Sequence, residues 1–218
     1  MTTLLIATRN AHKVGEIQAI LGAQFRCLTL KDFPDAPAVV EDADTFAGNA
    51  TKKAVELGKW LADNSKLKTP NLKLDFVLAD DSGLEVDVLN GAPGVHSARF
   101  AALDKVENSL DADNNAKLLR LLKDVPLEKR TGRFRCVIAL AEISPQSAIH
   151  NPQLFDGACE GRIQFAASGQ GGFGYDPLFV PDGFTQSFAE LGEDVKNNLS
   201  HRAQALAKLK NYFSKLPT

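Results

Sequence analysis

The sequence predicts an α/β protein whose mixed central sheet is flanked by helices. Three observations predict it. Short apolar runs of strand length alternate with segments of helical periodicity. Some of those runs are separated only by short turns, which join antiparallel neighbours, so the sheet is expected to be mixed and not purely parallel. The chain has 218 residues, 44% of them hydrophobic and 24% charged, enough to bury a full core as a single domain over 1–218, arranged as one body or as two closely packed lobes.

In chain order, Leu4-Leu5-Ile6-Ala7-Thr8 reads as a strand, and Val14, Ile17, Ile20 and Leu21 then share one face of a helix. After a Pro/Asp-rich loop at 31–44, Ala47, Ala50, Ala54, Leu57 and Leu61 recur at helical spacing, with Asp44 or Thr45 as N-cap and Lys52, Lys53, Glu56 and Lys59 on the other face. Phe76–Ala79 and Leu84–Val88 read as two strands joined by a polar turn, Asp80-Asp81-Ser82-Gly83. A helix is expected near Asn114–Leu122, a strand at Arg133–Leu140, a strand after Pro177 at Leu178-Phe179-Val180, and a last helix from about Ser200, with Leu206, Leu209, Phe213 and Leu216 on one side. Further loops are expected at 65–73 and 144–152, none long enough for a linker, and there is no internal repeat.

Composition excludes several function classes. Met1–Ala7 lacks the basic start and the apolar length of a signal peptide, and no stretch is long enough to span a bilayer, so a cytoplasmic protein is expected. A net charge of −2 supplies no general attraction for nucleic acid or an anionic membrane. An anionic ligand must therefore be held by local donors. Cys27, Cys136 and Cys159 have no zinc-ligand spacing and read as reduced thiols.

Four segments can carry chemistry. Thr8-Arg9-Asn10-Ala11-His12-Lys13, with Glu16 beyond, opens the first helix, where unpaired N–H groups and a lysine can hold phosphate oxygens. It lacks the glycines of a phosphate loop, and from the residues alone a plain polar cap followed by a surface lysine is the commoner reading. Asp80 and Asp81 offer hard oxygen ligands suited to Mg²⁺, with Glu41 as a second source of carboxylate. The same residues would also serve as a self-capped turn. Gly169–Pro177 packs glycines around Phe173 and Tyr175, giving either close approach to a flat ring or a glycine-rich hairpin. Finally, Ser200 can cap a helix that His201 and Arg202 open, shortly after Lys196. Cations there oppose the helix macrodipole, so they call for an acceptor-rich partner or lie on a solvated helix start.

Taken in order, these motifs resemble the inosine triphosphate pyrophosphatase family across nearly the whole chain. The resemblance rests on Thr8–Lys13 with Glu16, Thr45-Phe46 with Asn49-Ala50 and Lys53, and Ala79–Leu84. It continues through Gly91-Ala92-Pro93-Gly94 with Ser97-Ala98-Arg99, Gly171–Pro177 and Ser200-His201-Arg202. It implies two lobes flanking a nucleotide-binding cleft, a homodimer, and Mg²⁺-dependent hydrolysis of non-standard purine nucleoside triphosphates (dITP, ITP, XTP) to the monophosphate and pyrophosphate. By the same resemblance Asp81 is the proton acceptor and a metal ligand, Glu41 a further metal ligand, and Asp80 supports them. Thr8, Arg9, Asn10, Ala11, His12 and Lys13 bind phosphate. Ser82, Phe173, Gly174, Tyr175, Asp176, Lys196, His201 and Arg202 contact the substrate, the last three near the purine, with Lys53 and Arg99 as further cleft residues. Arg9 stands where many relatives have Gly, and Phe100 where many have Tyr. The rival readings are a Maf-like pyrophosphatase acting on pyrimidine or modified nucleotides, and a non-catalytic nucleotide sensor.

Overall fold

The computed structural model describes residues 1–64, 74–103, 108–143 and 152–216. The predicted loop at 65–73, and the one at 144–152 except for its last residue, lie outside them. The described elements are β1 (Thr2–Ile6), α1 (Ala11–Leu21), β2 (Phe25–Thr29), α2 (Phe46–Asp63), β3 (Phe76–Val86), α3 (Asp111–Leu121), β4 (Thr131–Glu142), β5 (Gln153–Ile163), β6 (Phe179–Pro181), α4 (Phe188–Leu199) and α5 (His201–Ser214). The strands form one sheet in the order β2-β1-β3-β4-β5-β6. β1 is parallel to β2 and β3, while β5 and β6 are antiparallel, so the sheet is mixed as expected.

The expected turn at Asp80–Gly83 is not there. β3 runs unbroken for 11 residues through all four of these positions. Asp80 and Asp81 are almost fully buried, and their carboxylates bond side chains of two helices, Lys13 of α1 and Asn49 of α2. Gly83 serves close packing: a Cβ there would collide with Ser97 Oγ and the Gly94 carbonyl. The mixed sheet was thus expected partly on a hairpin that does not form. An antiparallel pair, β5 with β6, lies at one edge of the sheet.

Three elements carry weaker sequence signals and were not expected. β2 is a half-exposed strand, and β5 interleaves exposed polar residues with buried ones. α4 opens on a capping box, in which Ser187 accepts from the Glu190 backbone and the Glu190 side chain accepts from the Ser187 N–H. Lys196 therefore sits in the last turn of α4, where its charge complements the macrodipole.

The chain forms two compact units. The first comprises Met1–Asp81, Val137–Asp156 and Ala205–Thr218, and the second Ser82–Cys136 and Gly157–Gln204. In the first, Leu4, Leu5, Ile6, Ile17, Val77, Leu78, Ile138, Leu206 and Leu209 are fully buried. The core of the second gathers Leu84, Val86, Phe100, Leu118, Phe134, Tyr175, Phe179 and Phe188. Phe100 belongs to that core, with the Lys117 ammonium 4.4 Å from its ring centre. No disulfide joins the cysteines, and burial pushes the Cys159 thiol up to about 12.

Candidate functional site

In the first unit, the α1 N-terminus is capped by its own sequence. Asn10 Oδ1 accepts from the N–H groups of His12 at 3.0 Å and Lys13 at 3.1 Å, and Thr8 Oγ1 accepts from the Asn10 N–H. Arg9, Asn10, Ala11 and His12 are exposed, and Thr8 and Lys13 half-buried. The Arg9 guanidinium donates to the Ala36 carbonyl at 2.8 Å, which turns it towards the loop before α2. Lys13 reaches the other way, from α1 to β3, and pairs with Asp80 Oδ1 at 2.5 Å.

α2 supplies the rest of this cluster. Its N-cap is Thr45, whose hydroxyl accepts from the Gly48 N–H. Asn49 and Lys53 follow at a four-residue spacing, so they share one helix face, and that face is buried. Asn49 Nδ2 donates to Asp81 Oδ2 at 3.1 Å, and Asn49 Oδ1 accepts from the Ala43 N–H at 2.9 Å. Lys53 Nζ donates to Glu41 Oε2 at 2.8 Å and to the Asp80 carbonyl at 2.7 Å, and lies 3.7 Å from Asp81 Oδ1. Glu41 and Asp81 thus converge on one ammonium, while the Asp80 carboxylate is held apart by Lys13. Among the described residues, no three His, Cys, Asp or Glu side chains form a metal-ligand group. Burial is the largest influence on Asp81 and outweighs the attraction of Lys53 and Lys13; with repulsion from Glu41 and Asp80 added, its carboxyl rises to about 6.

The second unit holds the remaining candidates. Arg202 Nη2 donates to Ser82 Oγ at 2.8 Å, and the His201 ring stacks on Phe134 at 4.9 Å between centres. Ser200 caps α5 as expected, its hydroxyl accepting from the Ala203 N–H. Lys196 Nζ bonds Asp176 Oδ2 at 2.5 Å and lies 4.5 Å from the centre of the Phe173 ring. The same Asp176 oxygen accepts from the Phe173 N–H at 2.8 Å. Gly172, at φ 73°, leaves no room for a Cβ beside that carboxylate. Tyr175 is core instead of surface: its hydroxyl donates to the Ser97 carbonyl at 2.9 Å, and burial raises its pKa. Lys196, His201, Arg202 and Asp176 are all almost fully buried. This glycine-rich segment is a built loop of buried polar contacts, not a hairpin tip.

Residues 4–212 match the family model described as the Ham1 family. The chain belongs to that family. Relatives named dITP/XTP pyrophosphatase include one from Geobacter sulfurreducens, 47% identical over 98% of this chain and 97% of its own, and one from Desulforamulus reducens, 45% identical over 98% and 96%. Among solved structures, a HAM1 protein from Coxiella burnetii superposes with a TM-score of 0.80 at 33% identity, covering 99% of this chain and 100% of its own. A dITP/XTP pyrophosphatase from Mycobacterium abscessus gives 0.66 at 36% identity, over 95% and 98%.

The sequence alone assigns no role to some residues of this Ham1-family site. Asn49 enters there only as part of a motif, although its spacing from Lys53 on an amphipathic helix is the signal that both face one way. Asp111 and Asn115 contact Gly174 from α3. The expected start of that helix, at Asn114, excluded Asp111. Arg99 lies beside His96, with Nη2 3.3 Å from its Nδ1.

Proposed function

We propose that this Ham1-family chain is a nucleoside triphosphate pyrophosphatase that hydrolyses non-standard purine nucleotides (dITP, ITP, XTP) to the monophosphate and pyrophosphate. The observation that carries the chemistry is Asp81: a buried carboxyl, raised to about 6, oriented by Asn49 and flanked by Lys53 and Glu41. A base with a pKa a little below neutral is ionised at neutral pH and accepts the proton that the attacking water sheds as its bond to phosphorus forms. Asp81 accepts the proton of the water that attacks the α-phosphorus. The electron pair of the broken P–O bond leaves with pyrophosphate. Lys13 and Lys53 offset charge that develops on the phosphate oxygens.

Two carboxylates meeting on one ammonium form a donor set that fits Mg²⁺, which takes hard oxygens from one or two carboxylates together with phosphates and water. Asp81 and Glu41 would hold it. When bound, Mg²⁺ supplies charge neutralisation at the phosphates and orients the leaving group. The junction Thr8–His12, exposed from Arg9 onward, offers polar side chains to the triphosphate.

The base is assigned to the second unit. Lys196, His201 and Arg202 are donors, and donors favour the C6 carbonyl of hypoxanthine or xanthine over the amino group of adenine. A buried donor left facing that amino group costs about 1–3 kcal/mol. The names of the relatives support the same substrate class.

With Mg²⁺ present, pyrophosphate release from dITP and XTP should far exceed that from dATP and dGTP. Preference for a pyrimidine nucleotide would favour the Maf-like reading, and binding without turnover the sensor reading. A homodimer and a cytoplasmic location are also proposed, supported by family resemblance. Among the described residues no helix is long and apolar enough to cross a membrane.

A further inference from the structure

α3 has no part in the function as proposed so far, yet it holds the two successive peptides that meet at Gly174 in the glycine-rich loop. Asp111 Oδ2 accepts from the Gly174 N–H at 2.6 Å, and Asn115 Nδ2 donates to the Gly174 carbonyl at 2.9 Å. The two side chains are four residues apart, so they leave α3 on the same face, one turn after the other. Gly174 has φ 61°, a left-handed conformation that an unanchored glycine leaves easily. Both its polar backbone groups are engaged by side chains of one rigid element.

The helix is itself anchored to the neighbouring segment. Asn114 Oδ1 accepts from the Ala101 N–H at 2.8 Å, its Nδ2 donates to the Ala98 carbonyl at 3.3 Å, and Lys117 Nζ donates to the Phe100 carbonyl. Leu118 is fully buried. Next to the clamped peptide stand Phe173, whose ring faces Lys196, and Tyr175, which is tied to Ser97. The backbone of Phe173 is thus held on both sides, by Asp176 at its own N–H and by Asp111 at the peptide that follows it.

We propose that Asp111 and Asn115 are positioning residues for purine binding: they hold the peptides on both sides of Gly174, and with them the backbone that carries Phe173, in the conformation that receives the base. This rests on the assignment of Phe173–Asp176 to the substrate. A loop ordered in advance spares the ligand that ordering cost. The clamp thus acts on substrate affinity and not on the bond-breaking step.

The test compares Asp111→Ala, Asn115→Ala, Asp111→Asn and Phe173→Ala in steady-state hydrolysis of ITP, together with hydrogen exchange at the Gly174 amide. Asp111 is exposed and Asn115 only half-buried, so the alanine variants keep the core intact. Each is expected to raise KM about fivefold, the equivalent of one hydrogen bond, with kcat within about twofold. Asp111→Asn, which keeps an acceptor oxygen, should restore most of the affinity. Exchange at Gly174 should quicken in Asp111→Ala and not in Asp111→Asn. A raised KM in Phe173→Ala with unchanged KM in both alanine variants of α3 would overturn this inference alone. An unchanged KM in Phe173→Ala would overturn the assignment of the loop to the base, and this inference with it.

Discussion

At Asp81, burial and charge pull in opposite directions, and burial wins. Its folded-state pKa of about 6 lies above the ordinary 3.8, so folding favours the neutral acid. The stability that follows is fully present below pH about 4 and is lost as pH rises through about 6. Asp81→Asn keeps a neutral acceptor for Asn49 and escapes this loss. In the presence of a chelator, the variant should match the parent protein in urea unfolding at pH 4 and exceed it at pH 8. The excess should reach up to ~3 kcal/mol, since each tenfold change in an acidity constant is worth ~1.4 kcal/mol. A difference independent of pH would contradict the burial account. The same variant should lose turnover by about a hundredfold or more, the scale of a general base, in a pyrophosphate-release assay. Asn49→Ala removes the acceptor of the half-buried Ala43 N–H and the donor to one oxygen of the buried Asp81. It should cost about 1–3 kcal/mol, read from the urea midpoint. The residue types here were legible in the sequence: carboxylates, lysines and an asparagine on an amphipathic helix. Their pairing was not, because Lys13 and Lys53 come from different helices and divide Asp80 and Asp81 between them.

At the scale of elements, β3 is the segment where local preference and final structure disagree. Asp-Asp-Ser-Gly is turn chemistry, but in the fold the apolar residues on either side continue one buried strand. Glycine at position 83 is required by proximity: a Cβ would strike Ser97 Oγ and the Gly94 carbonyl. Gly83→Ala is therefore expected to destabilise the protein by about 1–3 kcal/mol, as overpacking does, seen as a lower midpoint in thermal or urea unfolding. For α4, Ser187→Ala removes one half of the capping box and should cost roughly 1 kcal/mol by the same measurement. That helix was legible in principle, since Ser187-Phe188-Ala189-Glu190 carries the cap signature. Gly192, in a non-helical conformation, breaks it shortly after the cap, so no long helical run stands out. α1, α2, α3 and α5 stand where apolar spacing put them, within a few residues.

For the whole molecule, the order of the chain is not the order of its units. The first unit is assembled from three stretches, the last of them Ala205–Thr218. Leu206 and Leu209 are fully buried there, and the Phe213 ring packs edge-on against Phe25 at 5.1 Å and Phe76 at 5.2 Å. A chain ending at residue 204 should consequently lose the cooperative folding of the first unit, with loss of dispersed methyl resonances and a shallower melting transition. A full native spectrum from that truncation would show that α5 is dispensable. By itself, the sequence determined the α/β class, most of the helices, the family and the residue types of the site, because these follow from periodicity, caps and short motifs. Only the tertiary structure decided that Asp80–Gly83 is strand, that Lys53 joins Glu41 to Asp81, and that α3 grips Gly174. Each of these depends on partners far apart in the chain, and burial there outweighs the local preferences on which sequence reading relies.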